Sequence, residues 1–305
     1  MNAPDTKPHF TSVATLVAPV GSGLLDLSRV ARLRSALPGS EVTVLSAGRA
    51  VDVYVATGAE PSHVKAALLT EIGGSSIDLA VQPAQGRRKK LFIADMDSTM
   101  IEQECIDELA DAVGLKDHVS AITERAMRGE IAFEPALRER VSLLKGLPTN
   151  IVESMIAERI SLTAGGKALV RTMRHHGAFT ALVSGGFTLF TGPISTMIGF
   201  DMHRSNTLIV ENGLLAGLVA EPVLGREAKR EALVELRTQH GLSPHETLAV
   251  GDGANDLAML GEAGLGVAFR AKPIVAEAAH ARIDHTDLRT LLYFQGFADS
   301  DITEA

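Results

Sequence analysis

Leu91-Phe92-Ile93-Ala94 is an unbroken apolar run that stops at Asp95, and few architectures can take up such a run. Basic residues 87–90 precede it and the polar loop Met96-Asp97-Ser98-Thr99 follows. Without polar alternation, a run this short predicts a strand buried on both faces, which a parallel α/β sheet provides. In open α/β sheets ligands bind beyond the carboxyl ends of the strands, so Asp95 is delivered to that crevice. Asp97 follows two positions on. One carboxylate can then attack or hold a metal while the other, in a different local field, keeps a proton for acid/base work. The same residues also suit an ordinary strand-ending turn capped by Asp and Ser.

Two further apolar runs end in the same manner. Residues 179–183 predict a buried strand that runs into Ser184-Gly185-Gly186 and then a helix. Glycine lets backbone N–H groups approach an anion, and a helix start adds favourable partial charge; a plain glycine turn is the other reading. Residues 247–250 predict a third strand, ending in Gly251-Asp252-Gly253-Ala254-Asn255-Asp256. Such oxygen-rich side chains suit a hard cation such as Mg²⁺, or a solvated Asx turn. Between these runs, the pattern over 226–240 predicts a helix with Lys229 on its apolar stripe, four residues before Leu233 and seven before Leu236. Snorkelling is the common explanation for such a lysine.

The rest of the chain divides around these runs. Residues 11–17, 24–37, 41–45, 51–56, 61–72 and 76–81 predict strand, helix, strand, strand, helix, strand. That βαββαβ order is ferredoxin-like and resembles the ACT-type regulatory domains that bind amino acids. Its first loop, Pro19-Val20-Gly21-Ser22-Gly23, lacks the acidic residue and Pro-Gly pair of such ligand sites, which leaves a structural role or a homodimer contact. Polar residues 83–90 predict a linker. Residues 101–160 predict a bundle of four helices, the third opened by Pro135 and the fourth by a capping box of Asn150 and Glu153. Inserted between two strands, such a bundle is placed to act as a lid. Residues 165–176 predict a crossover helix, Asn212-Gly213 a hairpin turn, and 293–296 an ordinary C-terminal helix end. The expected domains are 1–86 (with linker) and 87–305, the cap being inserted at about 101–162.

Composition narrows the function classes. With 46% hydrophobic residues the chain can build a large core, and 29 basic against 37 acidic residues with no long basic run argues against a nucleic-acid surface. Aromatics at 4% and no Trp remove the stacking platforms of single-strand binders. No run of about 18 apolar residues predicts a membrane span, and Pro4 and Asp5 do not suit an export signal. The lone Cys105 forbids an internal disulfide and fits a helix core in a reducing, cytoplasmic compartment.

Three buried strands ending in a paired acid, a glycine anion loop and an acidic metal loop form one conjunction. With those residues assembled, the stretch from Leu91 to Leu292 resembles the haloacid-dehalogenase-type phosphohydrolases, and within them the branch acting on O-phosphoserine. The implied fold is α/β, with a doubly wound, mainly parallel sheet, a helical cap and an N-terminal ferredoxin-like domain. The resemblance implies that Asp95 attacks phosphorus to form an aspartyl-phosphate. Asp97 then protonates the serine oxygen and later deprotonates water, in the last step of serine biosynthesis. It implies Mg²⁺ held by Asp95, the Asp97 carbonyl and Asp252, with Asp256 behind them. Ser184, Gly185, Lys229 and Asn255 are implied to hold the phosphoryl oxygens. Glu104 is implied to pair with the substrate ammonium and Arg140 with its carboxylate, with Met127 and Phe133 lining the lid.

Electrostatics supports the cations independently. A carboxylate about 4 Å from a phosphate dianion is opposed by roughly 8 kcal/mol at an effective dielectric near 20. Mg²⁺ and Lys229 are the groups that can cancel this. The motifs equally allow transfer of the phosphoryl group to an alcohol such as homoserine. A non-catalytic amino-acid sensor predicts loss of a catalytic group, yet Asp95, Asp97, Lys229 and Asp252 are all present.

Overall fold

The computed structural model describes residues 10–56 and 60–304; the stretch bearing on an export signal, residues 1–9, lies outside them. The contacts form two compact units, Met1–Arg88 with Ile283–Ile302, and Lys89–Arg282 with Thr303–Ala305. The sequence pattern put residues 283–302 with the catalytic part; the contacts group them with the N-terminal sheet.

In the first unit the elements are β1 (Phe10–Val17), α1 (Leu27–Ala36), β2 (Glu41–Ser46), β3 (Ala50–Ala56), α2 (Pro61–Ile72) and β4 (Asp78–Pro83). The strands make an antiparallel sheet in the order β2-β3-β1-β4, the ferredoxin-like arrangement. Two element starts move by two residues or more. Helix α1 starts at Leu27, not at 24, because the Asp26 carboxylate accepts from Arg29 N at 2.7 Å and caps it there. Strand β4 starts two residues late because Ile77 N is held in a turn by Ser75 O.

Strand alternation gives this sheet two different faces. Ala14, Leu16, Val51, Val53 and Leu79 pack with Leu33 of α1 and Val64, Leu68 and Ile72 of α2. The intervening positions carry Thr15 and Asp52, which are register partners joined by a 2.7 Å hydrogen bond. Arg87 is buried against them, its Nη1 2.6 Å and Nη2 2.9 Å from the two Asp52 oxygens. It also donates to the carbonyls of Tyr293 and Phe294. Within residues 83–90, which the sequence reads as a linker, the bidentate ion pair thus buries Arg87, while Pro83, Gln85, Gly86, Arg88 and Lys90 are exposed.

The second unit begins with β5 (Leu91–Ala94). The cap helices follow: α3 (Cys105–Asp111), α4 (Lys116–Met127), α5 (Phe133–Ser142) and α6 (Ile151–Arg159). Next come α7 (Gly166–His175), β6 (Phe179–Phe187), α8 (Thr188–Ile198), β7 (Met202–Asn206), β8 (Leu208–Glu211), β9 (Leu214–Val219) and α9 (Arg226–Gln239). Last are β10 (Thr247–Gly251), α10 (Leu257–Glu262), β11 (Leu265–Phe269), α11 (Pro273–Ala278) and β12 (Ala281–Ile283). The main sheet has the order β12-β11-β10-β5-β6-β7, and the pairings among β11, β10, β5, β6 and β7 are parallel. All four residues of β5 are fully buried. Leu91 and Ile93 pack with Leu233 and Leu236 of α9 and Met259 and Leu260 of α10, while Phe92 stacks on Phe200.

Three local expectations change here. The fourth cap helix has no capping box: Asn150 is itself helical and makes no side-chain cap. The N–H groups of Ile151 and Val152 are already taken by the carbonyls of Pro148 and Thr149. Pro135 lies within the first turn of α5, which Phe133 opens. Strand β6 continues through Ser184-Gly185-Gly186 as far as Phe187, with a register shift against β7, so the glycine segment is strand and α8 starts only at Thr188. The hairpin is as expected, with Asn212 and Gly213 both at positive φ.

Candidate active site

Strand β5 delivers Asp95 as its end requires. Asp95 Oδ1 accepts from Met96 N at 2.8 Å and lies 2.8 Å from Lys229 Nζ, so that oxygen is engaged twice. Asp97 Oδ1 accepts from Cys105 N at 2.9 Å, and its Oδ2 accepts from Ser184 Oγ at 3.3 Å. A Cβ on Gly186 would stand 2.8 Å from Asp97 Oδ2, so only glycine lets β6 pass this close. Burial raises the Asp97 pKa above the usual carboxylate range, against the hydrogen bonds that lower it.

Lys229 is fully buried and does not snorkel: its ammonium lies 2.7 Å from Asp256 Oδ1 and 2.8 Å from Asp95 Oδ1. Burial opposes its charge, but Asp256 and Asp95 more than reverse that, and its pKa ends above the ordinary lysine value. The loop after β10 brings Asp252 and Asp256 to Asp95, all three buried, with oxygens within 4.8 Å of one another. Asp256 Oδ2 accepts from the N–H groups of Asp252 and Gly253 and its Oδ1 from Lys229, so both oxygens are engaged. Asp252 Oδ1 accepts from Thr99 Oγ1 at 3.2 Å. Burial, with the charge of Asp256, pushes the Asp95 pKa up to about 7 and that of Asp252 well above its usual value. Ionised, as a bound cation would hold them, three carboxylates against one ammonium leave two negative charges in a dry site. That oxygen-only set fits one divalent cation.

The cap closes the other side. A cavity of about 60 Å³ is lined by Asp95, Asp97, Glu104, Met127, Phe133, Arg140, Ser184, Gly185 and Asn255, among others. It holds only a few water molecules, so an occupant must be compact. Glu104 Oε1 accepts from Ser98 Oγ at 2.5 Å, and Ser98 sits at φ 54, a value rare outside glycine. Burial first, and then the Asp97 charge, pushes the Glu104 pKa well above the usual value. Arg140 is buried, donating from Nε to Ala136 O and from Nη1 to Thr123 Oγ1. Phe133 at the start of α5 rests on the core: a Cβ on Gly185 would stand 2.7 Å from its ring.

All twelve residues expected from the sequence are thus in one place, nine on the cavity wall and Lys229, Asp252 and Asp256 in the carboxylate cluster at Asp95. Thr123 and Asn206 were not expected. Asn206 donates to Gly185 O and Leu224 O and accepts from Leu224 N, so it staples the glycine segment to the loop before α9. One polar residue among the four polar residues of the strand Met202–Asn206 gives no sign of this. The thiol of Cys105 is buried, as expected.

The sequence matches the haloacid dehalogenase-like hydrolase family over residues 92–261. A phosphoserine phosphatase of Archaeoglobus fulgidus is 43% identical over 231 residues, 75% of this chain and 67% of that one. One from Mycobacterium tuberculosis is 36% identical over 310 residues, covering 98% of this chain and 74% of its own length. A solved structure described as a phospho-aspartyl intermediate analogue of phosphoserine phosphatase aligns with a TM-score of 0.65 at 43% identity, over 68% of this chain and 99% of that one. The chain belongs to the haloacid dehalogenase-like hydrolases, in their phosphoserine phosphatase family. No described helix is long and apolar enough to cross a membrane.

Proposed function

We propose that the chain hydrolyses O-phospho-L-serine to L-serine and phosphate, with Asp95 as nucleophile. The observation that carries this reading is that Glu104 and Arg140 line the same cavity as Asp95 and Asp97. The site therefore offers opposite charges to an ammonium and a carboxylate beside an anion-binding pole. Asp95 attacks phosphorus; the bond to the serine oxygen breaks, and the electron pair leaves with that oxygen. Asp97, whose burial makes it hold a proton more tightly than a solvated carboxyl does, supplies the proton from Oδ2. Water then attacks the aspartyl-phosphate, Asp97 takes the water proton, and the bond to Asp95 breaks. Lys229 balances charge throughout, and Ser184, Gly185 and Asn255 hold the phosphoryl oxygens. Bound among Asp95, the Asp97 carbonyl and Asp252, Mg²⁺ would keep Asp95 ionised and offset the charge of the phosphate. Asp256, with both oxygens engaged, supports Lys229 and the loop.

The test is phosphate release from a panel of phosphorylated metabolites with and without Mg²⁺, followed by borohydride trapping of the phosphoenzyme. Phosphoserine should lead the panel and the label should map to Asp95. Label elsewhere, or transfer to added homoserine in place of release, overturns the assignment.

A further inference from the structure

Asp107 lies on α3, outside the cavity lining, yet it anchors a chain of hydrogen bonds that ends at Arg140. Its Oδ1 accepts from Thr123 Oγ1 at 2.8 Å, and its Oδ2 from Ser120 Oγ at 2.7 Å, both on α4. Thr123 Oγ1 in turn accepts from Arg140 Nη1 at 2.9 Å. A hydroxyl has one proton. The hydroxyl also lies 3.0 Å from Val119 O, but the Asp107 carboxylate is the nearer acceptor and carries charge. With the proton committed to it, the lone pairs face the guanidinium, so Asp107 fixes the direction of the hydroxyl. Arg140 Nε is tied to Ala136 O at 3.0 Å. Two of the three guanidinium nitrogens are thereby anchored in the cap, and among the described residues Nη2 has no hydrogen-bond partner. Arg140 lines the cavity at 5% exposure, and Nη2 is the nitrogen left to take a ligand.

We infer that Asp107, acting through Thr123, is a positioning residue that aims Arg140 at the substrate carboxylate and so sets the preference for an amino-acid phosphate over a simple phosphomonoester. The inference rests on the carboxylate role of Arg140 given above. A planar fork recognises a carboxylate only when held at the right angle, and a long side chain loses that when its anchor goes. The hydroxyls of Ser120 and Thr123 meet both oxygens of one carboxylate, so the relay also ties α3, α4 and α5 together at the wall where specificity is read.

Asp107→Asn keeps the shape but loses the charge and one acceptor. It should raise KM for phosphoserine about tenfold and leave kcat within about twofold, while turnover of p-nitrophenyl phosphate, which has no carboxylate, changes less than about twofold. Thr123→Val should give the same rise in KM, and combining it with Asp107→Asn should add nothing further. Equal losses on both substrates, or additive effects in the double variant, overturn the relay and make Asp107 a fold residue. Arg140→Ala is the control for the underlying reading: if it costs both substrates equally, the carboxylate contact itself is wrong. Should Thr123→Val not fold, the two-substrate comparison on Asp107→Asn decides alone.

Discussion

Lys229 Nζ lies 2.8 Å from Asp95 Oδ1, so the acid at the end of β5 and the lysine on the buried stripe of α9 form a pair that neither element could hold alone. The ammonium also meets Asp256 at 2.7 Å, and all three side chains are essentially out of water. Removing one partner of such a pair leaves the other charge buried, at a cost of about 3 to 5 kcal/mol. Lys229→Met should therefore lower the melting temperature and cut kcat by about 10² to 10³, the range for losing a group aimed at developing charge. Thermal melting and steady-state kinetics on one preparation check this; a variant with near-normal kcat would remove Lys229 from the chemistry.

Chelation should expose the repulsion within the carboxylate cluster. Burial and Asp256 hold the metal-free Asp95 at a pKa of about 7, above its ordinary value, so the folded state binds that proton more tightly than the unfolded one. Such a group favours folding below its unfolded pKa, and the favour is lost as pH rises through the folded pKa. The chelated protein should thus lose stability between about pH 4 and pH 7. Added Mg²⁺ should restore it at pH 7 by about 2.7 kcal/mol at a hundred times the dissociation constant. Melting curves across pH with chelator and with Mg²⁺ check this, and a metal-free protein that grows more stable over that window contradicts the charge count.

Arg87 gives the first unit a dependence that modular deletion would break. Residues 1–86 read from the sequence as a domain with its own linker, yet Arg87 is paired bidentately with Asp52 and bonded to the carbonyls of Tyr293 and Phe294. Asp52→Ala should cost about 3 to 5 kcal/mol by leaving a buried guanidinium unpaired, with kcat for phosphoserine unchanged, because every proposed catalytic group lies in the other unit. Deleting 1–86 should further strip the cover from Leu291, Leu292, Tyr293 and Phe294, all buried, and give an aggregation-prone chain. A soluble, monodisperse truncation would show that residues 283–302 need no sheet to pack on.

The catalytic strands were legible because β5, β6 and β10 are continuous apolar runs with abrupt polar ends, a pattern that depends on no distant partner. Lys229 was legible only through the family resemblance, because on the stripe alone snorkelling was the commoner reading; the structure replaces that reading with two buried anions. Arg87 was not. In sequence it sits among basic neighbours as linkers do, and its partner Asp52 is 35 residues away in the chain. The capping box at Asn150 failed because the turn from Pro148 already puts Asn150 in helical backbone, where a capping residue needs an extended one. Thr123 was hidden among the apolar positions of α4, since a threonine with a polar task and one that fills a core look alike until Arg140 and Asp107 are placed on either side of it.

Gly185 and Phe133 tie the cap to the core by a contact that the smallest substitution should disturb. The Gly185 backbone does not need a glycine for its own conformation, since its φ is not among the positive values, so an added methyl group meets only its surroundings. There it would stand 2.7 Å from Phe133 Cζ and 3.1 Å from Cε2, closer than carbon atoms pack. The Phe133 ring, which also faces Gly225 at the start of α9, would have to lift, and the cap with it. Gly185→Ala should therefore lower kcat/KM for phosphoserine and for p-nitrophenyl phosphate alike, by about 10-fold to 100-fold, because an open cap admits water to both reactions. Phe133→Leu should cost less by itself and should restore part of the loss when combined with Gly185→Ala, giving a coupling of at least about 1 kcal/mol in a double-mutant cycle. Four rate measurements close that cycle, and strictly additive losses would mean that the ring and the glycine act separately.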